Sequence, residues 1–258
     1  MNRGHASPRR PFVAFLFVVV PHFSTPSVVM ASRDVIAPSP PDSTPVVAVD
    51  VECVATGTTH NDRAVAQIAI VDARTERVVL DVYVKPTMPV TSYLTPLTGI
   101  TETLLNERGV SFDEALGMVR AVLSPGHVVV GQGVLKDMDW LRLERGTDYG
   151  DLIDLAGIWR VWNDRFKSWS VFSQDHLVRT LLGTSVDEAH DAVGDCVKSS
   201  RAWLLYERVK NSPDELAAAR AKLLAVPPEP SFAKRFPSFE GVCQGNRRTC
   251  SCGAPFFS

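Results

Sequence analysis

The sequence predicts an α/β domain over roughly residues 46–210. Three observations lead there. Composition changes sharply at Val46, where a proline-rich stretch over residues 32–45 gives way to β-branched and other apolar residues. Strand-like runs then follow one another closely, and beyond them helical and strand-like segments alternate. The chain has 258 residues, 45% hydrophobic and 22% charged, which suffices for a sizeable core.

In chain order, Val46 to Val54 reads as a buried strand, Ala64 to Ala73 as a second and Arg77 to Val84 as a third. The short turns between them suggest an antiparallel meander. Ser111 followed by Glu114 is a capping-box signature for a helix running to about Leu123, and Pro125-Gly126 stops it. His127 to Val130 is a short strand with a helix after it through Leu141, and Asp151 to Leu155 is another short strand. A helix around Gln174 to Leu182 ends at Gly183, a suitable C′ residue. The last long helix is expected from about His190 to Val209, with Val193, Val197, Ser200 and Leu204 facing the core. A short Ala-rich helix follows Pro213, and then Pro227-Pro228-Glu229-Pro230 opens an irregular tail.

A net charge of −2 gives no overall positive field. A nucleic-acid partner would therefore have to be met by local cations or through metal ions. Five cysteines are an odd number and do not read as a disulfide framework, which favours a reducing compartment, nuclear or cytoplasmic. The N-terminus points the other way. Arg3, Arg9 and Arg10 precede an apolar run from Pro11 to Val20 and small residues near Ala31, the layout of a secretory signal peptide with a weak cleavage context. Equally, Met30 reads as an alternative start. The run is short for a membrane span, so no stable membrane association is expected, and residues 1–45 are set apart from the fold.

Asp50 and Glu52 interrupt the most hydrophobic strand. At spacing two their side chains leave one face, while Val49, Val51 and Cys53 leave the other. Carboxylates in an apolar strand are costly unless paired or metal-bound, the bland alternative being a face that meets water. Asp137 sits six residues after Gly131, with Asp139 as a competitor. His190 and Asp195 are five apart, which on a regular helix turns the side chains through about 140°. That spacing suits Asp195 facing a metal and His190 at the rim. Oxygen ligands of this kind hold hard divalent ions, and two such ions can activate a water against a phosphodiester. His190, titrating near neutrality, could serve as general base.

Three motifs together resemble the DEDDh exonucleases, in particular their small RNA exonuclease branch with the ribosomal-RNA-processing and interferon-induced members. They are Val-Ala-Val-Asp50-Val-Glu52-Cys53, Val130-Gly131-Gln132-Gly133-Val134-Leu135-Lys136-Asp137 and His190-Asp191-Ala192-Val193-Gly194-Asp195. The stretch from Tyr83 to Tyr93, followed by Thr98-Gly99-Ile100, is similar to that branch's own linker. The resemblance implies an RNase H-like fold, a mixed five-stranded sheet flanked by helices. It further implies two Mg²⁺ or Mn²⁺ ions held by Asp50, Glu52, Asp137 and Asp195, with His190 as base. The implied reaction is stepwise release of nucleoside 5′-monophosphates from the 3′ end of single-stranded nucleic acid, RNA favoured over DNA. Three positions depart from the family pattern and mark candidate substrate contacts. Gln132 stands where histidine is usual, Lys136 where asparagine or phenylalanine is, and Cys53 where methionine is common.

Two features stay unabsorbed. Cys243, Cys250 and Cys252 offer three sulfurs toward a Zn²⁺ site that would need a fourth ligand, a flexible tail with incidental thiols being the simpler reading. Near them, Lys234, Arg235, Arg247 and Arg248 interleave with Phe232, Phe236 and Phe239, a pattern that suits a single strand or simple packing. Trp159, Trp162 and Trp169 surround Arg160, Arg165 and Lys167 and could line a substrate channel, with core aromatics as the plainer expectation. Rival readings are a DNA exonuclease, an idle nucleic-acid-binding module and a secreted protein with a C-terminal disulfide knot. The sequence does not set the oligomeric state.

Overall fold

The computed structural model describes Met1 and residues 43–57, 62–184 and 190–230. The signal-like segment before Met30, the tail cysteines and the tail's basic and aromatic residues lie outside the described residues.

Strands β1 (Val46–Ala55), β2 (Arg63–Asp72) and β3 (Val78–Tyr83) form the antiparallel meander. The stretch after them, read as a linker up to Ile100, holds the short helix α1 (Thr95–Thr98), and a second, α2 (Glu102–Arg108), follows where the sequence showed no element. Helix α3 (Phe112–Val122) begins with the expected capping box, in which Ser111 and Glu114 satisfy each other's backbone N–H. Then come β4 (Val128–Gly131), α4 (Leu135–Trp140), β5 (Asp151–Asp154) and α5 (Leu155–Ile158). A hairpin of β6 (Val161–Asn163) and β7 (Ser168–Ser170) leads into α6 (Gln174–Leu177), which continues as a π-helical turn over Val178–Leu182. Gly183, at φ 68°, closes it. Helices α7 (Ala192–Val209) and α8 (Pro213–Ala225) finish the fold, and Pro213 takes the first turn of α8 as its fixed φ allows.

The main sheet has the order β3-β2-β1-β4-β5, with β4 and β5 parallel to β1. Apart from Asp50 and Glu52, central β1 and β4 are apolar on both faces because helices cover both. On one face Val47, Val49, Val51 and Cys53 pack against Ala115, Leu116 and Val119 of α3 and Met138 of α4. On the other, Val46, Ala48, Ala69 and Val130 meet Cys196 and Trp203 of α7, with Leu223 of α8 behind. This is the mixed five-stranded sheet flanked by helices.

The buried stripe of α7 differs from the expected one. Ala192, Cys196, Ser199, Ser200 and Trp203 lie deepest, whereas Val193, Val197 and Leu204 are only partly buried. Small residues make the close approach feasible. The Cys196 thiol reaches the Ala48 and Ala69 carbonyls at 3.4 and 3.5 Å, and the Ser200 hydroxyl donates back to the Cys196 carbonyl at 2.8 Å.

Candidate active site

Asp50 and Glu52 leave β1 on the face that α7 covers, opposite Cys53. The register between β1 and β2 slips just after Glu52, which ends the regular ladder beside the acids. Parallel pairing of β1 with β4 spans only Val46–Ala48, so the strands part before Asp50 and leave a notch. Asp137 fills it. Gly131 ends β4, and a Cβ there would lie 2.8 Å from the Val134 Cβ and 2.9 Å from the Val49 carbonyl, so only glycine permits the turn. Helix α4 therefore begins at once and carries Asp137 back over the sheet end. Asp137 is buried and Asp139 exposed, which separates the two sequence candidates.

His190 sits before α7, not within it. Asp191 has extended dihedrals and caps the helix by accepting from the Gly194 N–H, so regular helix begins at Ala192. The expected 140° divergence of His190 and Asp195 thus never arises, and His190 Nδ1 lies 2.8 Å from Asp195 Oδ2. The buried Gln67 of β2 fixes this entry. Its amide donates to Asp81 at 2.9 Å and to Asp191 at 3.1 Å, while its carbonyl accepts from the Ala192 N–H at 3.4 Å.

Sequence reasoning missed Gln67, Asp175 and Lys198. Lys198 Nζ is 2.7 Å from Asp195 Oδ1 and 3.4 Å from Asp175 Oδ1, and Asp175 Oδ2 is 3.6 Å from His190 Nε2. The i, i+3 step from Asp195 to Lys198 was a readable signal. Asp175 gave none, since it lies on a different segment from His190 and Lys198 and only the fold brings them together.

Electrostatics follow from crowding acids where little water enters. Burial, then the charges of Asp195, Glu52 and Asp137, raises Asp50 well above the ordinary carboxylate range. Burial and Asp195 push Glu52 up to about 7. Burial pushes Asp137 up to about 8, although its own N–H and that of Val51 oppose this. Burial also pushes on Asp195, but the hydrogen bonds and charges of His190 and Lys198 prevail and hold it below the usual range. The hydrogen bond to Asp195 in turn raises His190 against its own burial.

Ligand atoms of Glu52, His190 and Asp195 lie within 4.8 Å of one another. With Asp50 and Asp137 in the same electrostatic cluster, the donor set is oxygen-rich, repels itself and matches a hard divalent cation.

The substrate candidates separate. Cys53 is buried among apolar side chains on the face away from Glu52, because the alternation of β1 turns it there; the structure gives it a packing position, not a substrate contact. Gln132 donates to the Phe172 carbonyl at 2.9 Å and leaves its own buried oxygen without a partner among the described residues. Lys136 is exposed, its ammonium 4.8 Å from the centre of the Trp140 ring. Among the described residues no helix is long and apolar enough to cross a membrane.

An uncharacterized exonuclease of Schizosaccharomyces pombe is 31% identical over 68% of this chain and 26% of its own length. RNA exonuclease 4 of Candida glabrata is 34% identical over 66% of this chain and 61% of its own. Small RNA degrading nuclease 3 of Arabidopsis thaliana is 30% identical over 63% and 20%. The chain thus spans less than two thirds of the length of each of these relatives. The Pan2 catalytic unit of Neurospora crassa superposes with a TM-score of 0.59 at 20% identity, over 75% of this chain and 31% of that one, which shows a shared RNase H-like exonuclease fold. The model of the RNase_T family, described as exonuclease, matches residues 47–202, and the chain belongs to that family.

Proposed function

We propose that this chain is a metal-dependent 3′→5′ exonuclease that removes nucleoside 5′-monophosphates from single-stranded RNA. One observation carries the reading. Asp50, Glu52, Asp137 and Asp195 reach one electrostatic cluster from three separate segments, with His190 hydrogen-bonded at its edge. RNA is favoured because similar proteins are named RNA exonuclease 4 and small RNA degrading nuclease 3.

In this reading the four acids hold two Mg²⁺ or Mn²⁺ ions. Bound there, the ions supply Lewis-acid activation of a water and charge stabilisation at the scissile phosphate. The chain's own residues do the rest. Asp195 holds His190 Nδ1, which leaves Nε2 as the nitrogen to accept a proton from the attacking water. Asp175, 3.6 Å from Nε2, favours the imidazolium that forms. Lys198 compensates Asp195 and Asp175, and its charge also reaches Asp50 and Glu52.

The test is the full chain on 5′-labelled single-stranded RNA and matching DNA, with Mg²⁺, with Mn²⁺ and with chelator, beside Asp50→Ala. A metal-dependent ladder shortening from the 3′ end, absent in the variant, is expected, with RNA cut faster. A faster ladder on DNA would reassign the substrate. No ladder on either would leave a binding module.

A further inference from the structure

We propose that the β6–β7 hairpin is a stacking platform for the single-stranded substrate, holding nucleotides on the 5′ side of the one being removed. The inference rests on the exonuclease reading above. Among the described residues, Trp162, Phe166, Trp169 and Val171 form a local concentration of exposed apolar side chains. The tryptophans divide. Trp159 is 1% exposed and its indole N–H donates to the Ala202 carbonyl at 3.2 Å, so it is the expected core aromatic. Trp162 and Trp169 are 44% and 50% exposed. They face each other as cross-strand partners, edge to face, with ring centres 5.6 Å apart.

Cations interleave with these rings. The Arg160 guanidinium lies 4.3 Å from the Trp169 ring centre, and that of Arg165 lies 5.3 Å from Phe166. Lys167 extends beside Asp164 at the turn. Arg160, Arg165 and Lys167 outnumber Asp164, in a chain whose net charge is −2. The exposed parts of these rings suit nucleobases and the guanidinium groups suit phosphates, a combination that binds single strands without reading sequence.

Chain continuity limits how far the platform can stand from the site. From Trp169 the chain passes Phe172, whose carbonyl accepts from Gln132, and Ser173, which caps α6, before reaching Asp175. Six residues span at most about 20 Å, so the rings stand within a few nucleotides of His190.

The test uses the full chain, a Trp162→Ala/Trp169→Ala variant and a Trp162→Phe/Trp169→Phe variant that keeps a ring at each place. In chelator, a long oligoadenylate should quench the tryptophan fluorescence of the wild-type chain. A competition assay should show about tenfold or more weaker binding for the alanine variant and near-normal binding for the phenylalanine variant. In turnover the loss should fall on KM for the long strand, not on kcat, and should shrink for a dinucleotide. Unchanged affinity overturns the proposal and would leave the hairpin for a protein partner. Equal loss on long strand and dinucleotide also overturns it. If the wild-type chain releases no nucleotide yet binds the strand through these rings, the exonuclease reading fails and the platform stands.

Discussion

Asp137 and Asp139 differ by two positions and a great deal of environment. Asp137 is buried, raised to about 8 by that burial and close enough to feel Glu52, whereas Asp139 is exposed. Asp137→Ala is therefore expected to remove nearly all turnover and Asp139→Ala to leave it within a factor of about two, since surface changes are usually near-neutral. A dead Asp139→Ala beside an active Asp137→Ala would discard the assignment. His190→Ala should lower kcat by about 10²–10⁴, the span of a general base, while calorimetry still detects metal binding through the remaining oxygens. Loss of metal binding would make His190 a ligand instead. The acids were legible because Asp50 and Glu52 break an apolar strand and a motif order supplies the others. Gln67 and Asp175 were not, since a buried glutamine in a strand and an acid in the first turn of a separate helix carry no pattern until tertiary structure brings them together.

Helix α7 is the element on which the site depends, and its first turn is set by a cap. Asp191 accepts from the Gly194 N–H at 3.1 Å and from Gln67 at 3.1 Å, between His190 on one side and Asp195 on the other. Asp191→Ala should cost about 1 kcal/mol, the usual value of an N-cap, read from the urea midpoint. It should also lower kcat several-fold by loosening His190 against Asp195. Asp191→Asn keeps the cap oxygen but sets its amide against the Gln67 amide, donor to donor, so it should restore most of the midpoint and less of kcat. An alanine variant with unchanged midpoint would show that Gln67 and the sheet hold the turn without the cap. The boundary error in the sequence reading has the same origin. Helical periodicity runs smoothly through His190 and Asp191, and only the cap geometry shows that the helix starts at Ala192. Long strands and the capping box of α3 were legible because period and cap chemistry are local. Helices α1, α2 and α5 and the hairpin were not, since each is too short to show a period and is held by contacts with distant residues.

At the scale of the molecule, the acid cluster sets how stability responds to pH. Glu52 and Asp137 have ordinary values of 4.5 and 3.8 and are raised to about 7 and about 8, and His190 is raised from 6.5. Each binds its proton more tightly folded than unfolded. Their contribution is thus fully present below the unfolded values and is lost as pH rises through the folded ones, from about 4 to about 8. Asp195 has the opposite sign, but its effect falls below 3.8 and outside this window. Without divalent metal the melting temperature should therefore fall by several degrees between about pH 5.5 and pH 8.5. A cation that binds the ionised acids stabilises only the folded state, by RT ln(1 + [L]/Kd), and should flatten that decline. By the same linkage, binding expels protons, so the affinity for Mg²⁺ should rise with pH over this interval. Melting curves in chelator and in excess Mg²⁺ at the two pH values decide the matter. A larger metal-induced rise at the higher pH is the expected result. Equal rises at both, or a metal-free protein more stable in alkali, would mean that the acids are ionised and compensated before any cation arrives, with Lys198 and His190 sufficing as their counter-charges.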